Sequence, residues 1–365
     1  MTSDTELNAL YELISQAVSP EDIFGNLEGE NDKLSAVKDA YRKIVLVVHP
    51  DRCDVRVKEM ANDAFTRATS LYEKAQKKIE QGVYGTHTPE HNGAERDFVI
   101  QTRKREYRIK STLAQGDLST VYLGECNSGD EFGKVAIKVI DDPGDNDLMM
   151  NEIRTLKLFQ SQPANQSKHL PVLMDQFKTS DNQLGIVLRC LDGCYDLYSV
   201  REKYKDGVSE KHMVWMFNRL LSVLGYVHSK GVTHNNIEPA HLLIRPKDHN
   251  LFLIDWSYAA INPKSGDGFK VFNEEYSPPE VRLRKSPLPS SDLYAAGKSM
   301  IYILGGDPKT NFIPSSVNDK LRRFVEFFVM ESPLQRAQDA WEMHAMLNEL
   351  VVELWGPKRF LEFEM

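Results

Sequence analysis

Two charged residues stand beside runs of apolar sequence. Lys138 closes Val135-Ala136-Ile137, and Asp255 follows Leu251-Phe252-Leu253-Ile254. A charge beside a strand-like apolar run is costly to bury unless it meets a partner or a ligand. Upstream of Asp255, the segment His234-Asn235-Asn236-Ile237-Glu238-Pro239-Ala240-His241 spaces Glu238 and His241 at i, i+3. Together with Asp255 they offer two carboxylates and an imidazole, a donor set that suits a divalent ion such as manganese. A Glu238 turned to solvent is the alternative. A second group, His49-Pro50-Asp51, holds two short polar side chains around a proline that fixes the loop. Cys190 and Cys194 lack nearby His or Cys partners and fall short of a four-ligand zinc site.

These groups need elements to position them. Residues 5–17 suit a helix with Leu7, Leu10, Tyr11 and Ile14 on one face, and Pro20 is expected to end the helical tendency. From Leu34 to Val48 apolar positions recur at helical spacing (Val37, Tyr41, Ile44, Val45, Val48), while Lys33, Lys38, Arg42 and Lys43 supply positive charge. Pro50 stops that helix, because the residue before a proline is pushed out of helical geometry. A further helix from about Val57 to Gln81 follows, so two antiparallel helices joined by an exposed His49-Pro50-Asp51 loop are predicted. Residues 83–97 mix Gly, Pro, Thr, Asn and charge without periodicity and read as a connecting segment. Beyond it, REYRIKSTLAQGDLSTVYLGEC and KVAIKVID predict antiparallel strands around a Gly-containing turn, and NEIRTLKLF a helix.

The chain of 365 residues is long enough for two domains. Its residues are 41% hydrophobic and 27% charged, as in an ordinary packed protein. A net charge of −8 argues against bulk nucleic-acid or anionic-membrane binding. The N-terminus MTSDTELNAL lacks a basic stretch followed by an apolar run, and no apolar run reaches membrane-spanning length. With four sparse cysteines, a soluble cytoplasmic protein with reduced thiols is expected.

AYRKIVLVVHPDR followed by AFTRATSLYEKA resembles the J-domain family over about residues 20–85. The resemblance implies that His49, Pro50 and Asp51 dock on a heat-shock seventy-kilodalton chaperone and stimulate its ATP hydrolysis. Lys38, Arg42 and Lys43 would steer the encounter with an acidic surface.

Residues 98–350 resemble protein kinases. Ala114, Gly116 and Ser119 stand at the three glycine-rich-loop positions, VAIK ends at Lys138, and Glu152 lies on the following helix. RLLSVLGYVHSKGVTHNNIEPAHLLI, LFLIDWS, YSPPE and SSDLYAAGKSMIYIL continue the match. The resemblance implies a nucleotide site at Gly116, Val121, Ala136, Lys138, Glu152 and Leu243, with ATP and magnesium or manganese. It gives Asp255 the metal-binding role, and Glu280, Arg336 and Asp292 the task of holding the large lobe together.

The catalytic loop departs from that family's pattern. Asn236 stands where an aspartate accepts the substrate proton, Glu238 replaces a phosphate-facing lysine, and His241 replaces a metal-binding asparagine. One unit charge about 5 Å from a phosphate, at an effective dielectric near 20, is worth roughly 3 kcal/mol, and Glu238 reverses its sign. Asn235 removes the arginine that would receive a phosphorylated activation segment.

The expected architecture is α+β: an all-α J-domain-like hairpin followed by a bilobal protein-kinase-like domain. The expected boundaries are 1–85 for the first, 86–97 for the linker and 98–355 for the second, with lobes at 98–190 and 191–355. The leading functional reading is a co-chaperone whose catalytically impaired kinase-like domain binds a nucleotide, client or partner protein. An atypical phosphotransferase using Asp255 and His241 for metal, and a kinase-derived scaffold without nucleotide, are the alternatives.

Overall fold

A computed structural model describes residues 4–17, 19–25, 27, 32–48, 57–80, 84–85, 99–103, 105–116, 118–128, 131–283 and 285–365. His49-Pro50-Asp51 and the 86–97 segment lie outside these residues. The chain separates into two compact units, Met1–Glu95 and Arg96–Met365. No helix among the described residues is long and apolar enough to cross a membrane.

The first unit is helical: α1 (Asp4–Gln16), α2 (Pro20–Phe24), α3 (Lys33–Val48) and α4 (Lys58–Glu80). Val48 shares a buried cluster with Ala61 and Ala64, while Val37 shares another with Leu71 and Ala75. The end of α3 therefore meets the start of α4 and the reverse, so the two helices run antiparallel. Tyr41 fixes their register: its ring stacks on Tyr72 at 4.2 Å, and its hydroxyl lies 2.9 Å from Thr69 Oγ1. Leu7 and Ile14 of α1 pack into the same core. Arg67 of α4 donates to the carbonyls of Ile14 and Ala17 at 2.9 and 3.2 Å, satisfying the end of α1. Pro20 does not end helical structure, contrary to the expectation; it begins α2. Proline has no N–H to lose at the first helical position. Asp22, in the first turn of α2, accepts the Ser19 N–H at 2.7 Å.

In the second unit β1 (Val99–Gln101), β2 (Glu106–Gln115), β3 (Ser119–Ser128), β4 (Glu131–Ile140), β5 (Leu173–Lys178) and β6 (Leu184–Arg189) form an antiparallel sheet in the order β1-β2-β3-β4-β6-β5. Helix α5 (Asn146–Ser161) connects β4 to β5 and buries Met149, Glu152, Ile153, Leu156 and Phe159. A helical lobe follows. It comprises β7 (Tyr195–Asp196), α6 (Leu197–Lys203), α7 (Glu210–Ser229), β8 (Val232–Thr233), β9 (Leu242–Arg245), β10 (Asn250–Leu253), β11 (Ala260–Ile261), α8 (Pro279–Arg282), α9 (Pro289–Ile303), α10 (Asp319–Phe328) and α11 (Ala340–Trp355). Its core is built on α7 and α9, which bury Phe217, Leu220, Leu224, Met300 and Ile301 completely. Strands β9 and β10 pair antiparallel from Leu242↔Leu253 to Arg245↔Asn250, so the loop before β9 and the loop after β10 emerge at one end of the hairpin. That register brings residues 234–241 beside Asp255.

Glu280 of α8 and Arg336 form a fully buried ion pair, supported by Ser291 Oγ donating to Glu280 at 2.9 Å and Arg336 Nε donating to Ser290 O at 3.0 Å. Removing one partner of a buried pair strands the other charge. Arg336→Met should lower the stability of the second unit by about 3–5 kcal/mol in chemical denaturation. A loss below about 1 kcal/mol would show that Glu280 is satisfied without it.

Candidate active site

Side chains alternate along a strand, so with Val135 and Ile137 of β4 packed into the core, Ala136 and Lys138 share the opposite face. Val121 on β3 pairs directly with Lys138, and Ala114 on β2 pairs with Val121, so these residues share that face. Gly116 begins the turn between β2 and β3. Its N–H donates to Ser119 O at 3.0 Å, and a Cβ there would meet nothing closer than 3.6 Å. The fold has room for a side chain at 116; a glycine is needed there only if something approaches the backbone closely. Leu243 stands half-buried on β9, in the large lobe.

Lys138 Nζ donates to Glu152 Oε2 at 2.7 Å, Asp255 Oδ1 at 2.9 Å and Ser257 Oγ at 3.2 Å. Ser257 Oγ in turn donates to Glu152 Oε2 at 3.1 Å, and the Trp256 N–H donates to Glu152 Oε1 at 3.3 Å. Asn151, the neighbour of Glu152, donates to the carbonyls of Ser257 and Ala259 at 2.9 and 2.7 Å. Helix α5 is thereby tied to the chain after Asp255 by both residues. Burial by itself would raise the Asp255 pKa; the charges of Lys138 and His241, with hydrogen bonds from Lys138 and Ser257, more than offset it and hold the carboxyl well below its usual range. Burial would likewise lower Lys138, and the charges of Asp255 and Glu152 outweigh it. One ammonium against two carboxylates leaves this buried cluster with one net negative charge.

Two non-glycine residues beside it have left-handed backbone, Asn235 at φ 69° and Asp255 at φ 60°. Such conformations persist only where the surroundings hold them. Asp292 of α9 does this for the loop: its carboxylate accepts the N–H groups of His234 and Asn235, both at 2.8 Å, and lies 2.9 Å from His228 Nε2. The Asn235 amide turns inward to donate to Tyr258 O at 3.0 Å. His234 Nδ1 accepts the Asn236 N–H at 3.2 Å, and its Nε2 donates to Ile254 O at 2.9 Å. Only the neutral ring can make that pair of bonds. Burial pushes this imidazole down to about 4 despite the nearby Asp292 carboxylate.

The structure brings Glu238, His241 and Asp255 together. His241 Nδ1 lies 2.7 Å from Asn236 O. A carbonyl only accepts, so Nδ1 carries the hydrogen. The other nitrogen, Nε2, faces Asp255 Oδ2 at 3.6 Å and Glu238 Oε1 at 3.7 Å. Glu238 does not simply project into solvent: its side chain is 19% exposed, and its second oxygen accepts from Asn273 Nδ2. As they stand the three do not form a closed cage, and no group of three or more His, Cys, Asp or Glu among the described residues does. Beside Asn236 and Tyr276 the remaining cavity is about 10 Å³. That is close to the space one water needs. Of the chaperone-binding residues expected from the sequence, Lys38, Arg42 and Lys43 lie exposed on α3; His49, Pro50 and Asp51 are outside the described residues.

Residues 107–355 match the family described as "Protein kinase domain", which covers more than half of the chain. The chain belongs to the protein kinase family. Similar proteins include "Maternal embryonic leucine zipper kinase" of Danio rerio, 30% identical over 55% of this chain and 29% of the relative. "Serine/threonine-protein kinase F" of Synechocystis sp. is 24% identical over 49% of this chain and 40% of the relative. "Serine/threonine-protein kinase PknA" of Nostoc sp. is 26% identical over 56% and 38%. The chain thus spans less than half the length of these curated relatives.

In this protein kinase domain, sequence reasoning missed Asn151, Ser257, His228 and Asn273. Ser257 was visible only as a small residue two places after Asp255. Nothing local marks the other three, whose partners lie 106 (Asn151–Ser257), 64 (His228–Asp292) and 35 (Asn273–Glu238) residues away.

His234 supplies a pH test. Between 6.5 and about 4 the unfolded chain takes up a proton at this position while the folded chain does not, so stability falls as pH falls through that window. The loss at its lower end should be roughly 3 kcal/mol. Urea denaturation at pH 7, 5.5 and 4.5 should show a steeper decline for the parent than for His234→Asn; equal slopes would place the titration elsewhere.

Proposed function

We propose that the second unit is a nucleotide-binding protein kinase domain with suppressed phosphoryl transfer, and that the helical first unit recruits a heat-shock seventy-kilodalton chaperone to the client or partner it holds. The observation that carries the first half is an intact Lys138–Glu152–Asp255 cluster beside a catalytic loop with an amide at 236, a carboxylate at 238 and an imidazole at 241. The cluster suits phosphate binding, because its ammonium is already oriented and its net negative charge favours a cation alongside. The loop does not suit transfer: Asn236 has no basic oxygen for a hydroxyl proton, and Glu238 repels the phosphate that a lysine would neutralise.

The second half rests on the resemblance around His49-Pro50-Asp51. It is supported by the antiparallel pairing of α3 and α4 and by the exposure of Lys38, Arg42 and Lys43 on α3. Among the described residues Arg42 pairs with the exposed Asp39 alone, at 3.4 Å, a weak surface contact that an acidic partner surface could replace.

A second reading, slow metal-assisted transfer, is favoured by His241. Its Nδ1–H is held by Asn236 O, the arrangement that directs the lone pair of a ligating imidazole outward. Asp255, His241 and Glu238 would hold magnesium or manganese, which supplies charge neutralisation to the phosphates when bound.

Thermal unfolding with and without ATP, in magnesium and separately in manganese, tests the nucleotide half. A ligand at a hundred times its dissociation constant stabilises by about 2.7 kcal/mol, which should raise the unfolding temperature by a few degrees in the parent and not in Lys138→Met. No shift in either protein would leave a scaffold without nucleotide as the better account, and the same shift in both would place the nucleotide away from Lys138. For the other half, Asp51→Asn should abolish stimulation of the chaperone ATPase; stimulation that survives it would remove the co-chaperone reading.

A further inference from the structure

Far from Lys138 in the chain, the start of α7, the β9–β10 turn and residues 351–361 enclose a cavity of about 530 Å³. One wall is a continuous aromatic stack. The Trp215 and His249 rings lie 4.3 Å apart and 5° from parallel, and the His249 and Phe360 rings 4.1 Å and 21°. The stack is pinned. His249 Nε2 donates to Leu361 O at 2.6 Å, and Arg219 Nε donates to His249 O at 3.2 Å. Beyond it, Phe363 is buried against Tyr204, whose hydroxyl donates to Glu364 O at 2.9 Å, so the chain forming this wall is fastened on both sides of Phe363. Phe360 is nevertheless 63% exposed, leaving part of its ring open.

The charge around this cavity is one-sided. Lys211, Arg219, Lys358 and Arg359 line it, and none of the four has a carboxylate partner among the described residues. The one lining acid, Asp248, is already paired with Arg245 at 2.7 Å. Lys211 Nζ sits 5.8 Å above the Trp355 ring. Burial, and then the charge of Arg219, hold Lys358 below its usual range, and its Nζ donates to the neutral Asn348 Oδ1 rather than to a carboxylate. In a chain of net charge −8 such a cluster needs a reason.

We propose that this cavity binds a small aromatic phosphate monoester, with its ring against Phe360 and Trp355 and its phosphate among Lys211, Arg219, Lys358 and Arg359. Flat rings pack by offset stacking, and a phosphate of nearly two charges matches several unpaired cations. The volume is that of a small-molecule site, and the negative charge of the whole chain disfavours a polyanion. The site is separate from the kinase cleft and does not depend on whether that cleft binds nucleotide.

Calorimetric titration of the full chain with phenyl phosphate, phenol and inorganic phosphate tests the assignment. Phenyl phosphate should bind at one site at least about tenfold more tightly than either fragment, because only it uses both halves of the cavity. Lys211→Glu and Arg359→Glu should each weaken binding about tenfold without moving the unfolding temperature, since neither side chain makes a hydrogen bond among the described residues. Inorganic phosphate binding as tightly as phenyl phosphate, or binding untouched by both reversals, would overturn the proposal. An end-capped phosphotyrosine peptide should bind more weakly than phenyl phosphate; tighter binding would overturn the assignment to a free small ligand.

Discussion

The ammonium of Lys138, shared between Glu152 and Asp255, is the contact on which the geometry of the kinase cleft depends. It joins the central strand of the sheet, the helix beside it and the segment that leaves the large lobe. Burial by itself would push the lysine toward its neutral form, and without the lysine the two carboxylates would face each other with no cation between them. Ser257 and Asn151 make the joint stiffer than one ion pair allows. The serine hydroxyl bonds both partners of the Lys138–Glu152 pair, and the asparagine holds the following backbone from the same helix. The helix is held against the segment after Asp255 by Glu152 and Asn151.

The catalytic loop is held with equal firmness but carries different chemistry. Asp292 supports the strained backbone at Asn235, and neutral His234 bridges the Asn236 N–H to the Ile254 carbonyl. The loop is not a collapsed remnant. Its side chains are held by hydrogen bonds, Glu238 to Asn273 and His241 to the Asn236 carbonyl. The proposed function rests on both features: the bonded Lys138–Glu152–Asp255 cluster and a catalytic loop that carries an amide at 236, a carboxylate at 238 and an imidazole at 241.

The parts of this arrangement that depend on alternation or helical spacing were legible in the sequence. Lys138 after an apolar run and Asp255 after another announced charges that need a partner, and the stripe of Val37, Tyr41, Ile44 and Val48 announced a core face. The buried Glu280–Arg336 pair was visible through the resemblance to protein kinases, which assigns both residues to holding the large lobe together. Position-specific exceptions were harder. Pro20 looked like a helix end and is a helix start, since proline is excluded from a helix interior yet tolerated at its first turn. Asn151, His228 and Asn273 carry no local signal, because their roles arise only when distant segments meet. The stack of Trp215, His249 and Phe360 is hidden for the same reason: one aromatic residue on a helix, one in a turn and one in the segment after α11 have no common period.

The most direct test of suppressed transfer is to put the missing groups back. Asn236→Asp, Glu238→Lys and His241→Asn in one protein restore the proton acceptor, the phosphate-facing cation and the metal-binding amide on a loop whose backbone Asp292 already holds. The measurement is phosphate release from ATP, in magnesium and in manganese, by the parent and the triple variant at equal concentration. The parent should stay near background and the variant should be faster by at least about a hundredfold, the scale on which positioned acid–base groups act. A parent that already turns over as fast as the variant would contradict suppressed transfer, and would make this chain an active kinase with an altered loop.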